Sequence, residues 1–372
     1  MRGDNLDQST DDRAAFDAPP IPAFDDAAAD AARARQQELT KPPGSLGRLE
    51  DLAVALAGLT GDARPSLAEP AVLVAAADHG VVAEGVSAYP GDVTRAMLEN
   101  FANDGAAVNA LADVVDAETV LVDAGVDGDP VPGVRNERIA RGTANLADGP
   151  AMTRAQAVAS LEAGVRVAET DLATADLVAL GEMGIGNTTV ASALTAALAD
   201  ADPEAVTGPG TGVDEETRAH KVAVVERGLS ENGLRDEDGR PTETATGTVT
   251  ATDPVEVLRR VGGFEVGLLA GAALGCAADR TPVVVDGVVS GAAALVAAAV
   301  DDAVRPYLLP SHGGAEPGHA VQLAALGLEP LFEHDLRLGE GSGACLALAT
   351  YRAACATHDE MATFAEAGIG SG

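Results

Sequence analysis

The sequence predicts an α/β protein organised on a parallel sheet. The stretch "PAVLVAAADHG" (70–80) is continuously apolar, as strands are when both faces of a sheet are covered. Helical sequence, "VTRAMLENFANDGAAVNALADVV" (93–115), then leads to another apolar run, "ETVLVDAGV" (118–126). That β-α-β order joins parallel strands. Glycine-rich polar turns also recur where strands end: "ADHG", "GEMGIGNTT", "VDGVVSG" and "SHGGAEPGH". In an open α/β sheet ligands bind outside the carboxyl ends of the strands, so these turns are expected to converge on one site.

The elements follow in order. Residues 1–25 are polar, acidic and proline-punctuated, and read as an extended arm. "DDAAADAARARQQELT" (25–40) reads as an aspartate-capped helix. "KPPGSLGRLEDLAVALAGLTG" (41–61) is a prolyl loop entering a helix whose Leu49, Leu52, Leu56 and Leu59 recur at helical spacing. Beyond the first β-α-β unit, strands are expected in 175–184, 281–289 and 303–312. Helices are expected in 154–172, 187–200, 215–230, 253–263 and 290–302. Residues 230–252 are polar and read as a surface insertion or flexible connection. The C-terminal "ACLALATYRAACATHDEMATFAEAGIGSG" reads as helix, then as a frayed glycine-rich end.

Composition narrows the function. The formal net charge is −34, which opposes binding to a phosphate backbone or an anionic membrane surface. No stretch reads as a membrane span or a signal-peptide core, so a cytoplasmic protein is expected. Three cysteines in alanine-rich sequence, with no CxxC pair, give neither a disulfide framework nor a zinc site. Of 24 basic residues only Lys41 and Lys221 are lysines, a bias that with the acidic excess suits a high-salt cytosol. Such scarcity singles out each lysine.

Several turns could carry chemistry. "GEMGIGNTT" (181–189) follows a strand and opens a helix, so its free N–H groups suit an anion. It lacks the lysine of a P-loop and the spacing of a dinucleotide fingerprint. In "GPGTGVDEETRAHK" (208–221) another glycine-rich turn enters a helix that carries Lys221, a point charge for a phosphate or else a solvated surface residue. "SHGGAEPGH" (311–319) holds His312, Glu316 and His319, but Gly313, Gly314 and Pro317 argue against the regular helix a metal site would need. A turn that lines a polar ligand suits it better, and no metal is expected. Asp78 and His79 are either an acid–base pair or structural hydrogen-bonding groups. "LRLGEGSGACLAL" (336–348) sets Glu340 between two glycines ahead of an apolar helix. Glycines there would let a flat ligand approach the carboxylate; alternatively it complements the helix dipole.

Taken in register, "LTKPPGSLGRLE", "ADHGVVAEGVSAYP", "GEMGIGNTTVASAL", "VGGFEVGLLAGA", "VVVDGVVSGAAAL", "SHGGAEPGH" and "LRLGEGSGA" resemble the nicotinate-nucleotide–dimethylbenzimidazole phosphoribosyltransferases over residues 25–360. The resemblance implies a three-layer α/β/α fold with a six-stranded parallel sheet in residues 66–344. It implies a small helical domain assembled from 26–65 and 345–372, and a homodimer. The implied reaction moves phosphoribose from nicotinate mononucleotide to a benzimidazole-type base, with no cofactor. The family's general base falls on Glu340, and its phosphate- and ribose-binding residues on Glu182, Gly184, Lys221 and Ser311. Its base-pocket positions match Tyr89, Met97, Met183 and Leu338. Many relatives carry glutamine after "YP", where this chain has Gly91, which leaves the preferred base open.

Two other functions fit parts of the pattern. A non-catalytic binder of nucleotides or corrinoid precursors would keep the phosphate-binding turns but would not need Glu340. A dinucleotide-dependent oxidoreductase would need the missing glycine fingerprint.

Overall fold

A computed structural model describes residues 14–236, 238–240, 242 and 253–369. Residues 1–13 of the expected arm, 243–252 of the polar insertion and 370–372 of the C-terminal end lie outside the described residues.

The main sheet has six parallel strands in the order β3-β2-β1-β4-β5-β6. They are β1 (Pro70–Ala77), β2 (Glu118–Gly125), β3 (Arg135–Asn136), β4 (Leu177–Met183), β5 (Val283–Val285) and β6 (Leu308–Pro310). All eight residues of β1 are buried, as its unbroken apolar run requires. Strand order reverses between β1 and β4, since β1 runs outward to β2 and β3 on one side and β4 to β6 follow on the other. Helices flank this sheet. α1 (Asp26–Glu38) and α2 (Arg48–Thr60) precede β1, and α3 (Val93–Ala102) and α4 (Ala107–Val114) connect it to β2. α5 (Arg154–Thr170) precedes β4; α6 (Asn187–Leu198), α7 (Pro203–Val206), α8 (Glu215–Glu231), α9 (Pro254–Val261) and α10 (Phe264–Ala278) follow it. α11 (Val288–Val300) joins β5 to β6 through a 3₁₀ turn, Asp302–Tyr307. Then come β7 (His312–Gly313), α12 (Pro317–Leu326), β8 (Phe332–Glu333) and α13 (Ser342–Glu360), with β7 and β8 forming a separate two-stranded ladder.

The first and last helices of the described residues meet. α1 packs on α2, and α13 lies against α2 as well as against β4 and β5. Arg35 Nε donates to the His358 carbonyl at 2.8 Å, and Leu39 bridges Thr363.

The structure corrects several expected elements. The 93–115 helix is two helices, because Asp104 takes a left-handed φ of 57° at the break. Aspartate tolerates that conformation, and "NDG" is turn chemistry. Strand 281–289 shortens to Val283–Val285, since Gly287 already caps α11. The first half of 303–312 is the 3₁₀ turn.

Several elements escaped prediction, among them α7, α12, β8, β3 and α10. β3 is only two residues long. α10 is buried almost throughout, so it shows no amphipathic period to read. Its glycines serve close packing: a Cβ on Gly271 would lie 1.9 Å from the Leu161 carbonyl oxygen of α5.

Candidate active site

Beyond the carboxyl ends of β4 and β5 lies a cavity of about 600 Å³. Its walls come from the turns singled out above: the end of β4 with the start of α6, the 208–212 loop, the His312–His319 segment and the Leu336–Glu340 segment.

Glu340 stands in an unusual backbone. Gly339, Glu340 and Gly341 have φ of 80°, 63° and 91°, three successive left-handed residues at the entry to α13. Only glycine adopts this region freely, so Glu340 is the costly member and its flanking glycines make the turn feasible. Space is also tight, because a Cβ on Gly339 would fall 2.2 Å from Glu182 Oε1. The Glu340 side chain lines the cavity, is 6 % exposed, and leaves Oε2 with no hydrogen-bond partner. Burial raises its pKa above the ordinary carboxylate value, opposed by a backbone hydrogen bond from Val108 at the start of α4.

Two further carboxylates lie beneath it. Glu182, at the end of β4, accepts from Glu340 N at 3.4 Å and from the Asn187 side-chain amide. Burial, then the charges of Asp286, Glu265 and Glu340, pushes its pKa up to about 8. Asp286 follows β5 directly and accepts from Gly341 N at 3.2 Å and Ala344 N at 2.8 Å. Its pKa rises to about 7, again chiefly through burial.

Lys221 and Ser311 stand behind the wall and do not line the cavity. Lys221 is 1 % exposed, and its Nζ donates to Thr188 Oγ1 at 2.7 Å and to the Gly208 carbonyl at 3.2 Å. Burial lowers its pKa to about 8, and Glu316 opposes that shift. Since Thr188 Oγ1 accepts from Lys221, its own proton is free to donate into the cavity, which Thr188 lines. Ser311 Oγ donates to the Val285 carbonyl at 2.6 Å and contacts His312 Nδ1 at 3.0 Å.

The other expected residues meet at the cavity. Tyr89, Met97, Met183, Gly184 and Leu338 all line it, with Tyr89 and Leu338 half exposed at its mouth. His312, Glu316 and His319 line it too. Burial pushes both histidines down to about 4, so they are neutral at pH 7. His319 Nδ1 accepts from Gly314 N at 3.1 Å, which places its proton on Nε2. α12 begins only at Pro317, so these residues share no helix face. Among the described residues no group of three or more His, Cys, Asp or Glu could hold a metal ion.

The remaining polar stretches do not line the cavity. His79 Nε2 lies 2.9 Å from Glu265 Oε1, both side chains fully buried. Asp78 Oδ2 accepts from Asp127 N at 2.8 Å. Lys41 pairs with Glu50 at 2.8 Å.

Sequence reasoning missed Thr188, Asp286 and Arg337. Thr188 sat inside a quoted motif but is a common residue at a helix start. Asp286 lay in the quoted turn "VDGVVSG", whose glycines drew the attention. Arg337, one arginine among many, lines the cavity and reaches toward the 208–212 loop, where its Nη1 would lie 3.6 Å from a Cβ on Gly212.

Residues 21–369 match a family model described as "Phosphoribosyltransferase". The chain is 49 % identical over 352 residues to a nicotinate-nucleotide–dimethylbenzimidazole phosphoribosyltransferase of Desulforudis audaxviator, covering 94 % of this chain and 96 % of that protein. A protein of the same name from Pseudomonas putida is 50 % identical over 352 residues, covering 93 % and 95 %. A crystal structure of the enzyme so named from Thermus thermophilus superimposes with a TM-score of 0.84 at 45 % identity, covering 94 % of this chain and all of that one.

Proposed function

This chain belongs to the nicotinate-nucleotide–dimethylbenzimidazole phosphoribosyltransferase family, and we propose a mechanism in which Glu340 is the base. The enzyme transfers phosphoribose from nicotinate mononucleotide to 5,6-dimethylbenzimidazole or a related base. The products are nicotinate and α-ribazole 5′-phosphate, for cobalamin lower-ligand assembly. The observation that carries the mechanism is the unpartnered Oε2 of Glu340 in the wall of a cavity of about 600 Å³.

The nicotinate ring is bonded to the anomeric carbon as a pyridinium. It leaves with the bonding electron pair as a neutral ring nitrogen and needs no general acid. One ring nitrogen of the incoming base attacks the opposite face of the ribose, which converts a β-nucleotide into an α-riboside. The new bond makes that ring cationic, and Glu340 removes the proton from its other nitrogen. Burial raises the basicity of Glu340, and a pKa nearer the working pH makes a better base. A pair of carboxylates, as glycosidases commonly use, is not needed for this chemistry. Without a pyrophosphate leaving group it does not call for magnesium.

The rest of the cavity supplies binding. Tyr89, Met97, Met183 and Leu338 offer apolar and aromatic surface to the planar base. Gly184, Gly210 and Thr188 border the phosphoribose, with the charge of Lys221 delivered through Thr188 and that of Arg337 at the mouth. Glu182, with Asn187 on its carboxylate, suits ribose hydroxyls.

A homodimer and a small helical unit of 26–65 with 345–372 belong to the same proposal, the helical unit supported by the packing of α1, α2 and α13. So does a salt-adapted cytoplasmic setting, supported by the −34 charge and the near absence of lysine. No helix among the described residues is long and apolar enough to cross a membrane.

The test is chromatographic. Incubated with nicotinate mononucleotide and a panel of benzimidazoles, phenols and purines, the protein is expected to release nicotinate and an α-riboside phosphate in equal amounts. Failure to release nicotinate with any base would overturn the function.

A further inference from the structure

We infer that Asp286 is a positioning residue for Glu340, holding the left-handed Gly339–Gly341 turn in the one conformation that presents the Glu340 carboxylate to the cavity. This rests on the proposed role of Glu340 and extends it to a residue that does not touch the cavity.

A glutamate at φ 63° does not stay there on its own preference. Such residues persist only when the surroundings over-determine them. Here two strand ends do so. From β4, Glu182 Oε1 receives Glu340 N at 3.4 Å. From the neighbouring β5, Asp286 receives Gly341 N on Oδ2 at 3.2 Å and Ala344 N on Oδ1 at 2.8 Å. Asp286 thus spans the first turn of α13, where backbone N–H groups have no helical acceptor. The carboxylate gives each donor its own oxygen, where an amide or hydroxyl would have to receive both on one atom.

The burial of Asp286 points the same way. It is 1 % exposed, and its oxygens accept from the backbone amides of Gly341 and Ala344, with no lysine or arginine in an ion pair with it among the described residues. A buried carboxylate without a cation is costly unless hydrogen bonds hold it. The amides of α13 supply that holding, and the Glu340 backbone is fixed in return. The Gly341 peptide is the point of transmission, because it directly follows Glu340. Rotation there would swing the carboxylate away from the cavity.

The experiment measures kcat and KM of the full-length enzyme for Asp286→Ala and Asp286→Asn, alone and combined with Glu340→Gln. Misplacing a reacting group by about 1 Å costs on the order of 10²-fold. Asp286→Ala should therefore lower kcat about 100-fold, with KM for nicotinate mononucleotide within about threefold. Asp286→Asn keeps one acceptor and should recover part of the loss. In the Glu340→Gln background neither change should lower kcat further, because the two act through one group.

Wild-type kcat in a folded Asp286→Asn and Asp286→Ala overturns the inference, as does a loss confined to KM or one fully additive with Glu340→Gln. If Asp286→Ala does not melt cooperatively, Asp286→Asn and its combination with Glu340→Gln decide alone. An active Glu340→Gln enzyme would refute the base assignment instead, so the two failures are distinguishable.

Discussion

At the N-terminal loop a buried cation is closed off: Lys41 Nζ lies 2.8 Å from Glu50 Oε1, with side chains 5 % and 11 % exposed. In the cavity wall the chain's other lysine is left open. Lys221 is as deeply buried, yet it donates to a hydroxyl and a carbonyl; among the described residues no carboxylate forms an ion pair with it, and Glu316 acts on it only through its charge. The carboxylates repeat the contrast. Glu265 lies 2.9 Å from His79 in the core and does not line the cavity, whereas Glu340 lines it with Oε2 unpartnered. Buried charge is expensive wherever it sits. Where a protein partner neutralises it, the charge locks two elements together. Where the partner is missing, the site awaits a charge or a proton from a ligand.

The largest expected effect tests the open carboxylate. Glu340→Gln keeps the shape and should lower kcat about 10²–10⁴-fold, with no loss of melting temperature. Undiminished turnover would erase the distinction between Glu340 and Glu265.

Next come the lysines as stability elements. Lys41→Met leaves the Glu50 carboxylate with backbone donors such as Leu46 N but no cation, and breaking a buried pair costs up to about 3–5 kcal/mol. Lys221→Met removes a cation without a carboxylate partner and should be near neutral. Urea unfolding of both variants decides; equal losses would break the comparison.

Acting on the ligand through Thr188, Lys221 should show the reverse. Lys221→Ala is expected to raise KM for nicotinate mononucleotide about tenfold or more, since a hydrogen bond to a charged group contributes about 1.5–3 kcal/mol. Steady-state kinetics with an unchanged KM would argue that its charge never reaches the phosphate. The pH dependence sharpens this. Burial depresses the Lys221 pKa from 10.5 to about 8, so its charge is present below that pH and lost above it. KM of the wild type should climb above pH 8 toward the Lys221→Ala value, while the variant's KM stays flat. Stability moves the other way: the folded state sheds this proton before the unfolded state does, so this group's contribution rises between about pH 8 and 10.5.

The smallest effect is global. With a net charge of −34, added salt should raise the melting temperature by screening surface repulsion. A melting temperature independent of salt would count against a salt-adapted surface.

Much of this was legible in the sequence. The apolar runs of β1, β2 and β4 marked a parallel sheet, and glycine-rich turns marked the edge where the cavity lies. The two-residue β3 was too short to read, and α10 is apolar all round, so neither gave a periodic signal. Residues that line the cavity, such as Glu340, Glu182 and Met183, lay inside conspicuous motifs. Asp286 and Thr188 act through distances that only folding creates: one caps a helix 55 residues away, the other binds a lysine 33 residues on. Lysine scarcity drew attention to Lys41 and Lys221 alike, but it could not say that one is closed by Glu50.

The most direct measurement is a crystal structure of the enzyme with a benzimidazole and nicotinate bound. A Glu340 carboxylate oxygen is expected about 2.6–3.2 Å from the ring nitrogen that does not face the ribose. A carboxylate turned to bulk solvent, or locked to Arg337 while the ring sits elsewhere, would contradict its role as the base.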